Sequence, residues 1–291
     1  MSGPWRRLAE LDPLDLVLRL TLLDLVLRPV GDWALRFPIL GLAAAGLLLP
    51  AFLRRRELWA ALALLTGIRV VFDWPLSDNH AYLLCYWCLA IALSRFARDG
   101  GRVLAINGRW LIALVFGFAT LWKLLSPDFA DATFFRATLL LDPRFEGFTR
   151  LVGGLSIEQI DAARGALERH ADGGWLAPVA ATRPSARFEI LARATTLWTV
   201  TIEAAVTIAF CWPKDRGPSR LRDPLLIAFC VTTYAVATVD GFGSLLIAMG
   251  LAQCAAEQTR TRVAYLATYA LILFYREVDW IERLANLVDR T

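Results

Sequence analysis

Charge is scarce in this 291-residue sequence: 20% of residues are Asp, Glu, Lys or Arg, where an ordinary soluble domain carries about a quarter. Apolar residues make up 57%, and mean hydropathy is positive. Histidine is scarcer still. His80 and His170 are the only two, and neither has a Cys, His or acidic neighbour at ligand spacing, which excludes a zinc cluster built on them. A Gly-rich nucleotide loop, a serine elbow and a kinase-like motif set are all missing, and the corresponding nucleotide and hydrolytic chemistries go with them. The formal charge is +4, but the basic residues are divided among short connectors instead of gathered in a patch, so nucleic acid is not an expected partner. There is no low-complexity tail. The sequence also lacks the short basic segment and uninterrupted apolar run of a cleaved secretion signal. Met1–Phe37 instead alternates Leu and Val with Asp and Arg, as in Asp24-Leu25-Val26-Leu27-Arg28-Pro29. This pattern predicts one or two amphipathic segments over 1–36, lying on a membrane or on a helix bundle.

What is abundant is apolar runs. Ala60–Phe72, Leu111–Leu121, Ala194–Trp212 and Pro224–Val239 each carry at most one charge. A helix needs about 20 mainly apolar residues to cross a hydrocarbon layer, and the runs predict an all-α polytopic transmembrane bundle of about seven spans. The expected spans are 37–53, 58–74, 80–97, 109–125, 189–212, 224–252 and 262–276. The first is closed by Pro50 and Arg54-Arg55-Arg56, the second by Trp74-Pro75. The sixth contains Asp240-Gly241-Phe242-Gly243, read either as a break in one tilted helix or as a turn between two short ones. The connectors 54–57, 95–102 and 213–223 hold three, three and four Lys/Arg, against none in 75–79 and one in 253–261. Basic connectors stay in the cytoplasm, which predicts an outside N-terminus and a cytoplasmic tail over 277–291. His80, Lys123 and a small helical segment at 126–188 are expected on the extracytoplasmic side. Within that segment Ser156-Ile157-Glu158-Gln159 has capping-box spacing, and Gly173-Gly174 is the expected helix stop.

Polar residues inside or beside the apolar runs are the candidate site. Asp78-Asn79-His80-Ala81-Tyr82 opens a span, where Asp78 or Asn79 can cap the helix and His80 is either an interfacial residue or a functional one. Lys123 follows Leu111–Trp122. An ammonium at the hydrocarbon edge must snorkel, pair or lose its proton, and the last of these makes a general base. Arg69 and Glu203 lie within spans and are expected to face the bundle interior, where they can form a structural ion pair. Asp240 is a third charge of this kind. Cys85-Tyr86-Trp87-Cys88 has the spacing of a thiol–disulfide pair, although a helical i,i+3 pair among aromatics reads first as packing.

Two of these stretches resemble the membrane core of the vitamin K-dependent gamma-carboxylase family, including the bacterial proteins called horizontally transferred transmembrane domains. Asp78-Asn79-His80-Ala81-Tyr82-Leu83 is similar to the family's Asn-Asn-His-Ser-Tyr-Leu. Phe118–Phe129, with Trp122-Lys123-Leu124, resembles a helix end that carries a Lys-Lys pair in the carboxylases. Leu124 stands at the second position of that pair, the position of the family's base. The resemblance covers about 37–145 and implies residence in the bacterial cytoplasmic membrane, a reduced quinone as cofactor, Lys123 as base, and Asn79 and His80 as groups orienting the quinol oxygen. Asp78, Tyr82 and Trp122 would line the quinone site. The large outer domain that presents glutamate-rich peptides in the family has no counterpart here. The expected function is therefore an outer-facing quinone or isoprenoid-lipid pocket with quinol oxidoreduction. The alternatives are a non-enzymatic scaffold for lipid or partner membrane proteins, and a transporter, which the absence of paired inverted halves weakens.

Overall fold

The computed structural model describes residues 11–168, 185–239 and 241–288, with side chains left out at 166–168, and these residues are all-helical with no strand. In chain order the helices are α1 (Pro13–Leu27), α2 (Trp33–Leu48), α3 (Pro50–Leu53), α4 (Arg56–Phe72), α5 (Asn79–Ser94) and α6 (Gly100–Leu125). A connecting segment then holds α7 (Pro127–Ala130), α8 (Thr133–Leu141), α9 (Glu146–Phe148) and α10 (Ile157–Glu168). The chain returns through α11 (Ala186–Cys211), α12 (Arg222–Val236), α13 (Phe242–Leu251), α14 (Thr259–Glu277) and α15 (Trp280–Val288).

Helix starts follow from local chemistry. Asp12 accepts the Leu14 amide ahead of Pro13, Asp32 accepts that of Leu35, Asp99 that of Arg102 and Ser185 that of Phe188. Each cap satisfies a donor that no helical carbonyl can reach. The capping box at α10 forms as the spacing predicts: the Ser156 amide donates to Gln159 Oε1 at 2.9 Å, and the Gln159 amide donates to Ser156 Oγ at 3.4 Å. The expected stop at Gly173-Gly174 lies outside the described residues.

Contacts at the two ends of the bundle give each long helix a direction. At one end Arg54 pairs with Asp12 and Asp15, Arg95 donates to the Arg54 carbonyl, Arg262 to that of Leu11 and Arg222 to that of Gln253. At the other end Arg276 donates to the Leu27 carbonyl and Arg144 to that of Thr238, and one cavity brings 28–32, 69–73, 78–81 and 238–239 together. Nine described helices, α1, α2, α4 to α6 and α11 to α14, therefore run alternately between these ends. Two of them, α6 and α11, are long and apolar enough to cross a membrane by length and composition.

Two features change the expected count of seven. The 1–36 segment contributes a bundle member in place of a surface-lying amphipath: Leu16, Val17, Leu18, Leu22 and Leu25 of α1 are in the core, and the buried Asp24 pairs with Arg28 at 3.0 Å. The stretch read as span six is two helices, α12 and α13, reversing at 237–241; every residue from Gly243 to Leu251 is buried. Gly241 makes this reversal. It holds φ +77°, where a side chain is strained, and a Cβ there would fall 1.7 Å from Arg28 Cζ and displace that guanidinium. Asp240 itself lies outside the described residues.

The added reversal corrects the expected placement of the 277–291 tail opposite the 126–188 segment. Arg150 of that segment donates to Asn286 of α15 at 2.8 Å, and the Gly147 backbone packs on that of Glu282, so tail and segment share one end. By the same count the 253–261 connector lies with 54–57 and 95–102. The 126–168 part has its own small core, in which Phe129, Phe135, Leu139 and Leu140 meet Phe188, Leu191 and Ala192 of α11. Arg136 and Glu189, paired at 2.7 Å, fasten its edge.

Candidate functional site

The expected site residues divide between two places. His80, on the first turn of α5, is half-buried, and its ring lies 5.3 Å from that of Phe242. Phe242 in turn meets Phe116 and Phe229, which contact each other edge-on at 4.7 Å. Three helices thus brace the imidazole from the core side. Its other side borders a cavity of about 700 Å³. Asp78 and Ala81 line the same cavity, and Asp78 occupies the N-cap position of α5 without a side-chain hydrogen bond to the helix. Asn79 is exposed and Tyr82 half-buried; neither borders the cavity.

Lys123 lies elsewhere. Its ammonium donates to both carboxylate oxygens of Glu203 on α11, at 2.7 and 3.0 Å, and sits 5.5 Å from the centre of the Phe129 ring. The two side chains are 15% and 9% exposed. Trp122, the adjacent residue, is 73% exposed and points away from the bundle. Lys123 thus fills one carboxylate's hydrogen-bonding capacity and does not reach the wall of the His80 cavity. The expected interior pair forms with different partners: Glu203 takes Lys123, and Arg69 takes Asp73, one helical turn on, at 3.2 Å. A carboxylate four residues away on the same helix was the nearer choice for Arg69.

Four arginines that sequence spacing did not group with His80 line its cavity: Arg28, Arg36, Arg69 and Arg144. Each is positioned by an acceptor of its own. Arg28 pairs with Asp24 at 3.0 Å, Arg69 with Asp73 at 3.2 Å and Arg144 with Asp142 at 2.6 Å, while Arg36 donates twice to the Gly31 carbonyl, at 2.9 and 3.1 Å. The Arg144 guanidinium holds the Asp142 carboxyl below its ordinary range by hydrogen bonding. These residues come from α1, α2, α4 and the 126–168 segment. The sequence signals for them were the charge of Arg69 within an apolar run and the polar break Arg28-Pro29-Val30-Gly31-Asp32, of the same kind as Trp74–Asn79.

Comparison with protein-family models, curated proteins and solved structures finds no match. The site must therefore be read from its own geometry. No group of three metal-ligating side chains occurs among the described residues, and His170 lies outside them. Cys85 and Cys88 are free thiols, Cys88 fully enclosed in the core, which makes the pair packing in this structure. What remains is a polar cavity, with His80 in its wall and Phe242 against that ring. Beside its residues in the chain stand Trp33, Phe37, Phe72, Trp74 and Leu76, all strongly exposed. This combination suits a ligand with a polar head and an apolar body.

Proposed function

We propose that this chain is an integral membrane protein whose cavity at the His80 end receives the head of a quinone or isoprenoid lipid from the outer leaflet. Its nine described bundle helices run alternately between the two faces of the bundle, the ten-residue α13 enclosed by the others. The observation that carries this reading is the His80 cavity itself, polar inside, with exposed aromatic and aliphatic side chains next in sequence to its lining residues. The membrane setting is supported by α6 and α11, in which only 28% of each apolar window is covered by the rest of the protein. A soluble core helix would be covered by its neighbours. The distribution of basic residues agrees with the alternation of these nine helices. Arg54–Arg56, Arg95, Arg98, Arg102, Lys214, Arg216, Arg220 and Arg260 all fall at the end opposite the cavity, which the retention of basic connectors puts in the cytoplasm. The cavity, the 126–168 segment and the tail are then outside, and residue 12 is inside.

Binding is better supported than quinol oxidation. A base for a quinol proton must reach the ring oxygen, and Lys123, the base that the carboxylase resemblance suggests, is held by Glu203 away from the cavity. Of the two expected acid–base residues, His80 is the one that lines it, and an imidazole can donate to or accept from an oxygen.

Two measurements test this reading. In a background without native cysteines, Glu257→Cys should be protected from an impermeant thiol reagent in whole cells, and Arg283→Cys should be labelled. A seven-span chain with its tail in the cytoplasm gives the reverse. Mass spectrometry of lipids retained by the detergent-purified chain should show an isoprenoid lipid or quinone, depleted in His80→Trp, whose larger ring fills the cavity. Equal retention by both forms would remove His80 from the site.

A further inference from the structure

The cavity wall is more cationic than a quinone requires. A quinone ring offers two neutral carbonyl oxygens, for which two donors suffice. Here four guanidinium groups, from four separate segments of the chain, face one space of about 700 Å³. Arg28, Arg69 and Arg144 each already have a carboxylate, in Asp24, Asp73 and Asp142; Arg36 is held by the neutral Gly31 carbonyl, which does not balance its charge.

The cavity also receives a helix start. His80 and Ala81 line it from the first turn of the 16-residue α5, and the Asp78 side chain at the N-cap makes no hydrogen bond to that turn. The Ala81 amide already donates to the Asp78 carbonyl at 2.9 Å, so what this turn offers an anion is mainly the positive end of the helix dipole. Three carboxylates share the wall. Asp73 is engaged by Arg69 and Asp32 by the Leu35 amide; Asp78 is the one that would face an anion unneutralised. Each guanidinium carries five N–H donors, so the acceptors that orient Arg36 and Arg69 leave further donors on both.

We propose that the cavity binds a phosphorylated head group, a phosphate or diphosphate monoester, and that the isoprenoid lipid it receives is a polyprenyl phosphate. This deepens the lipid-pocket reading above and rests on it for the apolar chain; the head-group chemistry rests on the arginines alone. A phosphate monoester carries three acceptor oxygens and about −1.5 to −2 charges at neutral pH, which matches convergent, pre-oriented guanidiniums better than any neutral ring. The polyprenyl chain would leave the cavity over Phe72, Trp74 and Leu76.

Binding of four probes to the full-length chain in detergent tests both parts: geranylgeranyl phosphate, geranylgeraniol, menaquinone and inorganic pyrophosphate. The phosphate is expected to bind at least about tenfold tighter than the alcohol or the quinone, the scale of one charge-assisted hydrogen bond. Arg36→Gln, at an exposed residue that the core does not need, should remove about that factor for the phosphate and leave the alcohol unchanged. Asp78→Asn should tighten phosphate binding by removing the opposing charge, a gain that misfolding does not produce. If the alcohol or quinone binds as tightly as the phosphate and Arg36→Gln has no effect, the phosphate proposal is wrong and the lipid pocket stands. Pyrophosphate binding as tightly as the lipid phosphate would keep the head-group chemistry and overturn the lipid. Binding of none of the four would overturn both.

Discussion

Lys123→Met is expected to destabilise the protein by about 3–5 kcal/mol, the cost of leaving a buried carboxylate without its partner. Among the described residues Glu203 has no other cation within bonding distance, and both of its oxygens accept from the one ammonium, at 2.7 and 3.0 Å. Met keeps the length and apolar volume of the lysine, so the loss isolates the charge. The double variant Lys123→Met/Glu203→Leu should recover most of the stability, because replacing both members of a buried pair with apolar groups is close to neutral. Thermal unfolding in detergent, read as a double-mutant cycle, measures this. Loss of lipid binding in Lys123→Met without loss of stability would contradict the structural role given to the pair and return Lys123 to the site.

The second large effect concerns Trp87. It is fully buried on α5, and its indole N–H donates to Thr21 Oγ1 on α1 at 3.0 Å; Thr21 Oγ1 itself donates to the Val17 carbonyl. A Cβ added at Gly108 on α6 would sit 3.4 Å from the same indole, so three helices close on this ring. Trp87→Ala should cost about 3 kcal/mol, toward the low end for aromatic truncation in a core. In a bilayer the displaced side chain loses packing and a hydrogen bond, while the water-transfer part of the usual penalty shrinks. Trp87→Phe should recover part of the packing but not the bond to Thr21. Unfolding midpoints in a denaturant series would compare the two, and equal stability of Trp87→Ala and the parent would show that α1 is not docked against α5. That outcome would also remove the case for α1 as a bundle member.

The helices were legible where a run of apolar residues ends in a residue with one clear local role. Asp12, Asp32 and Asp99 cap helices because a short carboxylate reaches a nearby free amide, and Ser156 with Gln159 does so reciprocally; these are interactions over two or three residues. The reversal at 237–241 was equally visible as Gly241 between apolar runs. That it is a turn and not a kink shows only in the packing, where Arg222 at the start of α12 donates to the Gln253 carbonyl just past α13. The 1–36 segment raised the same kind of question, Arg54 lying 42 residues from Asp12 and 39 from Asp15. Its alternation with Leu and Val resembled an amphipath on water, and only the pairing of Asp12 and Asp15 with Arg54, and of Asp24 with Arg28, shows how these charges are accommodated in or at the bundle.

The candidate site divides in the same way. Asp78, His80 and Lys123 stand out because polar groups next to apolar runs are costly and therefore few. Their partners do not stand out, since each is supplied by a different helix: Glu203 lies 80 residues from Lys123, and Arg144 meets the cavity from beyond α6. By itself the sequence determined the all-helical class, the capping box at Ser156 and which polar residues needed partners, because hydropathy and capping act over a few residues along the chain; it placed the start of α6 at 109, nine residues after Gly100. The tertiary structure alone decided the direction of the tail, the pairing of Lys123 with Glu203 and the convergence of four arginines beside His80. Those depend on which helices lie side by side, and burial and charge compensation are satisfied across the bundle and not along it.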